Sequence, residues 1–144
     1  MNALELFLTA PNAENFKNIR NNAWMMTRVF QRDEGLAKEW FKFEEWFQIC
    51  KNSSGLTEDE KVKSKDLLKS SVSSFADAIK YYHTLNYEDR IAWQKEFIDH
   101  AKTVKDCQYL LYSLHKGHRK EIVEKMQKIA ITDEEKKIAY SYVI

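Results

Sequence analysis

The chain has 144 residues, a formal charge of +1, 31% charged and 44% hydrophobic residues, three glycines and one proline. That length suits one core burying roughly two thirds of the unfolded surface, and the balance of apolar and charged residues argues against disorder. Near-neutral charge argues against a dedicated nucleic-acid binder, which is more often strongly basic, and so few Gly and Pro leave little punctuation for strands and hairpins.

The opening MNALELFLTA is weakly apolar, contains Glu5 and has no basic stretch ahead of it, so it is expected to be a poor secretory signal. No apolar run approaches the roughly 20 residues needed to cross a bilayer, and a cytoplasmic location is expected, in a cell or in an infected host cell. Cys50 and Cys107 then read as reduced thiols at apolar helical positions. The glycosylation triplet at Asn52 carries no meaning without secretion.

The predicted elements are all helices, about six to seven of them, and the first is short. After Pro11, a segment from Asn12 to Arg32 places Phe16, Ile19, Ala23, Met26 and Phe30 at alternating spacings of three and four, which is one buried stripe. Asp33 and Glu34 favour a new helix start and Gly35 permits a bend, with one kinked continuous helix as the alternative. Leu36, Trp40, Phe43, Phe47 and Cys50 form the next stripe. At about 100° per residue, Phe41 and Ile49 fall opposite it, as Met25 and Val29 do in the preceding helix. Two helices apolar on two sides are either central in the bundle or half exposed at an interface.

Asn52 to Gly55 reads as the clearest loop and the one plausible subdivision, at residues 52–56, of a single domain spanning 1–144. Thr57-Glu58-Asp59-Glu60 has the capping-box form and opens a long helix to Leu85, with Leu68, Val72, Phe75, Ile79 and Tyr82 inside. Asn86 caps a helix to Lys102 whose apolar side carries Ile91, Trp93, Phe97, Ile98 and Ala101. Thr103 caps the next, with Val104, Cys107, Leu110, Leu111 and Leu114 inside and Gly117 as its stop. A helix from His118 to Ala130 buries Ile122, Val123, Met126 and Ile129, and Thr132 to Glu135 is a second capping box opening a terminal helix with Ile138 and Tyr142. Short connections make sequential helices antiparallel neighbours, and no repeat period recurs.

Several constellations are weighed for chemistry. Glu96, Asp99 and His100 lie within about one turn but on the polar side of their helix, and Cys107, His115 and His118 lack a fourth ligand, so neither is expected to hold a metal. Strand-turn-helix nucleophile elbows, Gly-rich phosphate loops and zinc-protease pairs are absent, so the chain is expected not to be an enzyme and to use no cofactor or small-molecule substrate. Between Lys102 and Lys128 the chain is most basic, and helix, Gly turn, helix is the outline of a helix-turn-helix in which Lys116, Arg119, Lys120 and Lys128 would meet phosphates, although Glu121 and Glu124 interrupt that face. Tyr81, Tyr109 and Tyr112, like Phe41 and Ile49, lie off the main stripes and suit a protein interface.

The expected function is therefore a small non-enzymatic binding protein, an adaptor, accessory subunit or inhibitor, docking a helical face onto a larger assembly or onto itself. Phe41, Trp46 and Ile49 are its expected anchors, helped by Met25 and Val29, with Lys42 and Glu45 setting orientation. Nucleic-acid binding through the basic 102–128 region is the alternative, and no membrane partner is expected.

Overall fold

A computed structural model describes residues 1–114 and 116–142, with Lys116 described in its backbone alone. Among these residues the regular elements are eleven α-helices and two 3-10 turns, with no strand. The all-α class is as read from the sequence; the helix count is higher, because three of the long predicted helices each divide in two. The chain forms two compact units, Met1–Val72 and Ser73–Ile144, and residues 52–56 lie inside the first.

Unit one holds α1 (Ala3–Thr9), α2 (Ala13–Lys17), α3 (Ala23–Arg32), α4 (Glu34–Trp40), α5 (Phe43–Lys51) and α6 (Glu58–Ser70). The predicted 12–32 helix breaks where asparagines compete for its backbone: Asn21 adopts φ 71°, in the left-handed region that Asn tolerates, and the Asn22 side chain caps α3 by accepting the Met25 N–H at 3.0 Å. Asp33 ends α3 and starts α4, its carboxylate accepting the Leu36 N–H at 3.1 Å, so the break falls there and not at Gly35. The next helix breaks again at Phe41, whose backbone is extended, and Glu45 holds the new start by accepting the Lys42 N–H at 3.0 Å.

That second break corrects the phase argument of the sequence. In one continuous helix Phe41 falls opposite the stripe that holds Trp40, whereas an extended residue resets the rotation and brings both rings against Phe16. Phe16 then meets Phe7, Trp40 and Phe41, and Trp46 meets Phe41 and Phe30, one connected set of rings with centroids 5.3–6.1 Å apart. Pairs of this kind contribute about 0.5–1.5 kcal/mol each beyond area burial. Helix α5 packs against both α3 and α6, which explains why its apolar arc is wide enough to take in Phe43, Trp46 and Ile49 together. Polar ties close the unit: Gln31 donates to the Gly55 carbonyl at 3.0 Å and to Glu60 at 3.2 Å, and Glu34 pairs with Lys63 and Lys38.

Unit two holds α7 (Phe75–Thr84), α8 (Tyr87–Asp99), α9 (Val104–Ser113), α10 (Arg119–Ile129) and α11 (Asp133–Ala139). The predicted 57–85 helix divides at its serine run. Ser70 and Ser71 bond back to the Leu67 carbonyl, Ser74 caps α7 through the Asp77 N–H, and these local bonds offer the backbone an alternative to helix. The core centres on Phe97, which meets Phe75, Tyr82 and Trp93 at 5.4, 4.7 and 5.7 Å. Lys125 of α10 donates to the Ile98 carbonyl at 2.6 Å, a second bond beside the Ala101 N–H that this acceptor at the end of α8 also takes, at 3.1 Å. The caps read at Asn86, Thr103 and Thr132 all form, by accepting N–H bonds from Asp89, Asp106 and Glu135.

One titration follows from this packing. His100 stacks on Trp93 at 5.9 Å, and burial, helped by Lys102 and Lys125 and opposed by Asp99 and Asp77, holds its pKa below the ordinary 6.5. The unfolded chain therefore takes up this proton first as pH falls, and stability declines from about pH 6.5 downward through the lowered value. Urea midpoints measured between about pH 7 and pH 5 are expected to fall in the parent protein and to fall less in His100→Gln; equal slopes contradict the assignment.

Candidate docking groove

The residues singled out for docking in unit one are placed largely in its interior. Val29 and Ile49 are 0% exposed, Trp46 2% and Phe41 4%, so the expectation that Phe41 and Ile49 stand outside the core is corrected. Their burial follows from the reset at Phe41 and from the central position of α5. Glu45 is buried as well, with its carboxylate engaged at the start of α5; Met25 is half-buried, and Lys42 is exposed beside the break. No exposed face is formed by this set.

In the basic region, α9, a 3-10 turn at Lys116–His118 and α10 follow one another, and α10 packs on α9. Lys120 and Lys128 are exposed, but Glu121 and Glu124 are exposed on the same helix, and Arg119 lies over the Tyr142 ring at 5.9 Å. The Lys116 side chain and His115 lie outside the described residues. His118 pairs with Glu121 at 3.4 Å, Cys107 is fully buried, and Glu96 and Asp99 are exposed while His100 rests on Trp93. Among the described residues no group of three or more His, Cys, Asp or Glu side chains could hold a metal ion. Of the surface tyrosines, Tyr81 is buried against Trp93 at 4.7 Å, Tyr109 bonds His83 at 3.2 Å, and Tyr112 is 93% exposed.

The feature that sequence reasoning missed is a groove of about 520 Å³ in unit two. One wall is α8, which contributes Tyr87, Arg90, Ile91 and Gln94; the other is the end of α9 and the following turn, through Ser113, Leu114, Gly117 and His118, with Tyr82 of α7 also in the lining. Spacings of three and four from Tyr87 to Gln94 put these four on one side of α8. Ile91, read as core, is instead 51% exposed there, and Tyr87 is 76% exposed. The core side of α8 is taken by Trp93, Phe97 and Ile98. That second stripe was visible in the sequence, but only as four residues of mixed polarity beside a stronger aromatic pattern.

Two polar groups distinguish this groove from an apolar crease. Arg90 donates from Nε to the Tyr82 carbonyl at 3.1 Å and from Nη2 to the His83 carbonyl at 3.1 Å, capping α7, and its guanidinium lies over the Tyr82 ring at 5.3 Å. Its Nη1 has no hydrogen-bond partner, and its charge no carboxylate partner, among the described residues. Gln94 is 94% buried by its 6% exposure, lines the groove, and its side-chain amide makes no hydrogen bond to any described residue. Since no fully enclosed side-chain N or O lacks a partner, that amide reaches the open space of the groove. Open only through the groove, that amide is a fixed donor and acceptor for a group bound there.

These features define an all-α protein with an apolar-and-polar surface groove in unit two. The chain matches no family model, no curated protein and no solved structure. Among the described residues no helix is long and apolar enough to cross a membrane.

Proposed function

We propose that this chain is a small non-enzymatic protein-binding module that docks through the groove walled by α8. The observation that carries the reading is the side of α8 itself: exposed Tyr87 and Ile91 next to Gln94, a buried side chain whose amide bonds to no described residue and opens on the groove. Aromatic and aliphatic side chains with a few placed polar groups are the composition of binding surfaces. The state of the thiols supports a non-enzymatic role. Burial pushes Cys107 up to about 11 and raises Cys50 as well, so neither is a ready nucleophile near neutral pH. A cytoplasmic setting and an adaptor, accessory-subunit or inhibitor role belong to the same proposal.

The test is site-specific photo-crosslinking in the native host, with the reactive residue at position 91 and, as control, at the exposed Ile131 of unit two. Adducts of one discrete mass from position 91 and none from position 131 support the groove; no adduct at 91, or the same adducts from both, overturns it. An adduct at twice the chain mass makes the docked protein a second copy. The nucleic-acid alternative would rest on Lys120, Lys128 and Arg119, whose helix also exposes two acids. Titration of a generic DNA duplex decides it: binding that weakens steeply with salt supports that role, and no binding at low salt removes it.

A further inference from the structure

The groove also carries information about what it takes. We infer that its occupant is a short peptide segment of a partner protein presenting a carboxylate side chain next to an apolar one; this rests on the docking role proposed above.

Three observations point to that chemistry. Arg90 is held in place by two bonds to the end of α7, which leaves Nη1 at the groove lining and a positive charge with no carboxylate partner among the described residues. A guanidinium fixed in this way offers a carboxylate a preorganised charged donor, since its orientation is settled before the anion arrives. Gln94 sits one turn further along α8 and offers both a donor and an acceptor, the complement of one peptide group, which also has one of each. Tyr87 and Ile91 flank the two polar groups and are largely exposed, so an apolar side chain of the same segment can cover them. A basic segment is disfavoured by Arg90, and a purely apolar one leaves Arg90 without its anion and Gln94 without its bonds.

The probe is a displayed library of random short peptides, selected on the full chain. Enriched sequences are expected to place Asp or Glu within a residue or two of a bulky apolar side chain. Exchanging that acid for its amide is expected to weaken binding to the parent protein about tenfold, and added salt weakens the acidic peptide alone. Gln94→Leu is expected to lose about tenfold in affinity while its Tm stays within a few degrees of the parent, because the amide makes no hydrogen bond to any described residue. A Tm lowered further than that would make Gln94 a structural residue and overturn its role in binding. Enrichment of peptides without an acid, or affinities indifferent to the acid-to-amide exchange, overturns the inference. Adducts at position 91 together with acid-free peptides sink this inference and leave the docking role standing; no adduct there sinks both.

Discussion

Trp46→Ala is expected to lower the unfolding free energy by about 3–5 kcal/mol, the usual cost of emptying a large aromatic site in a packed core. Trp46 is 2% exposed and lies edge-on to both Phe30 and Phe41, at 5.3 and 5.4 Å, so it joins α3 to α5 and to the break before α5. Little can collapse into the space, because Ile49 and Val29 are already fully buried and their helices are fixed by caps. The matched control is Trp24→Ala. Trp24 is 60% exposed and Arg28 lies over its ring at 5.4 Å, so its loss is expected to stay within about 1 kcal/mol. Urea midpoints at constant slope measure both. Equal effects of the two changes would mean that Trp46 is not enclosed, and would restore the exposed face that the sequence alone suggested.

Phe97→Ala is expected to cost a similar amount, about 3–5 kcal/mol, in the core of unit two. Its ring is 0% exposed and meets Phe75, Tyr82 and Trp93, so its loss unties α7 from α8 and removes three ring contacts at once. The informative comparison is Ile91→Ala on the same helix. Both residues were assigned to one apolar side by the sequence, yet Ile91 is half exposed and its truncation is expected to cost about 1 kcal/mol or less. Near-ultraviolet circular dichroism should collapse for Phe97→Ala and stay close to the parent for Ile91→Ala. A large cost at Ile91 would place it in the core and close the groove.

Much of the fold was legible locally. Helical class follows from spacings of three and four and from the scarcity of Gly and Pro, and the caps at Thr57, Asn86, Thr103 and Thr132 were readable because a capping side chain and the N–H it accepts lie three residues apart. The breaks at 18–22, 41–42 and 71–74 were harder. Each replaces a helical bond with a local one of similar strength, from Asn, Glu45 or Ser, and a stripe drawn through the break still looks continuous. The docking groove was legible only in part: Tyr87, Ile91 and Gln94 share a side of α8 by spacing, but its other wall comes from Ser113, Leu114, Gly117 and His118.

Alone, then, the amino-acid order determined that this chain is helical, where most helices begin and which side chains share a side within each one, since those properties depend on neighbours a few residues away. Only the tertiary structure decided that Phe41 and Ile49 turn inward and that Tyr87 and Ile91 remain outside. Burial is set by what packs against a helix side. At Phe41 a single extended residue changed which side that was, and at α8 a richer aromatic stripe claimed the core first.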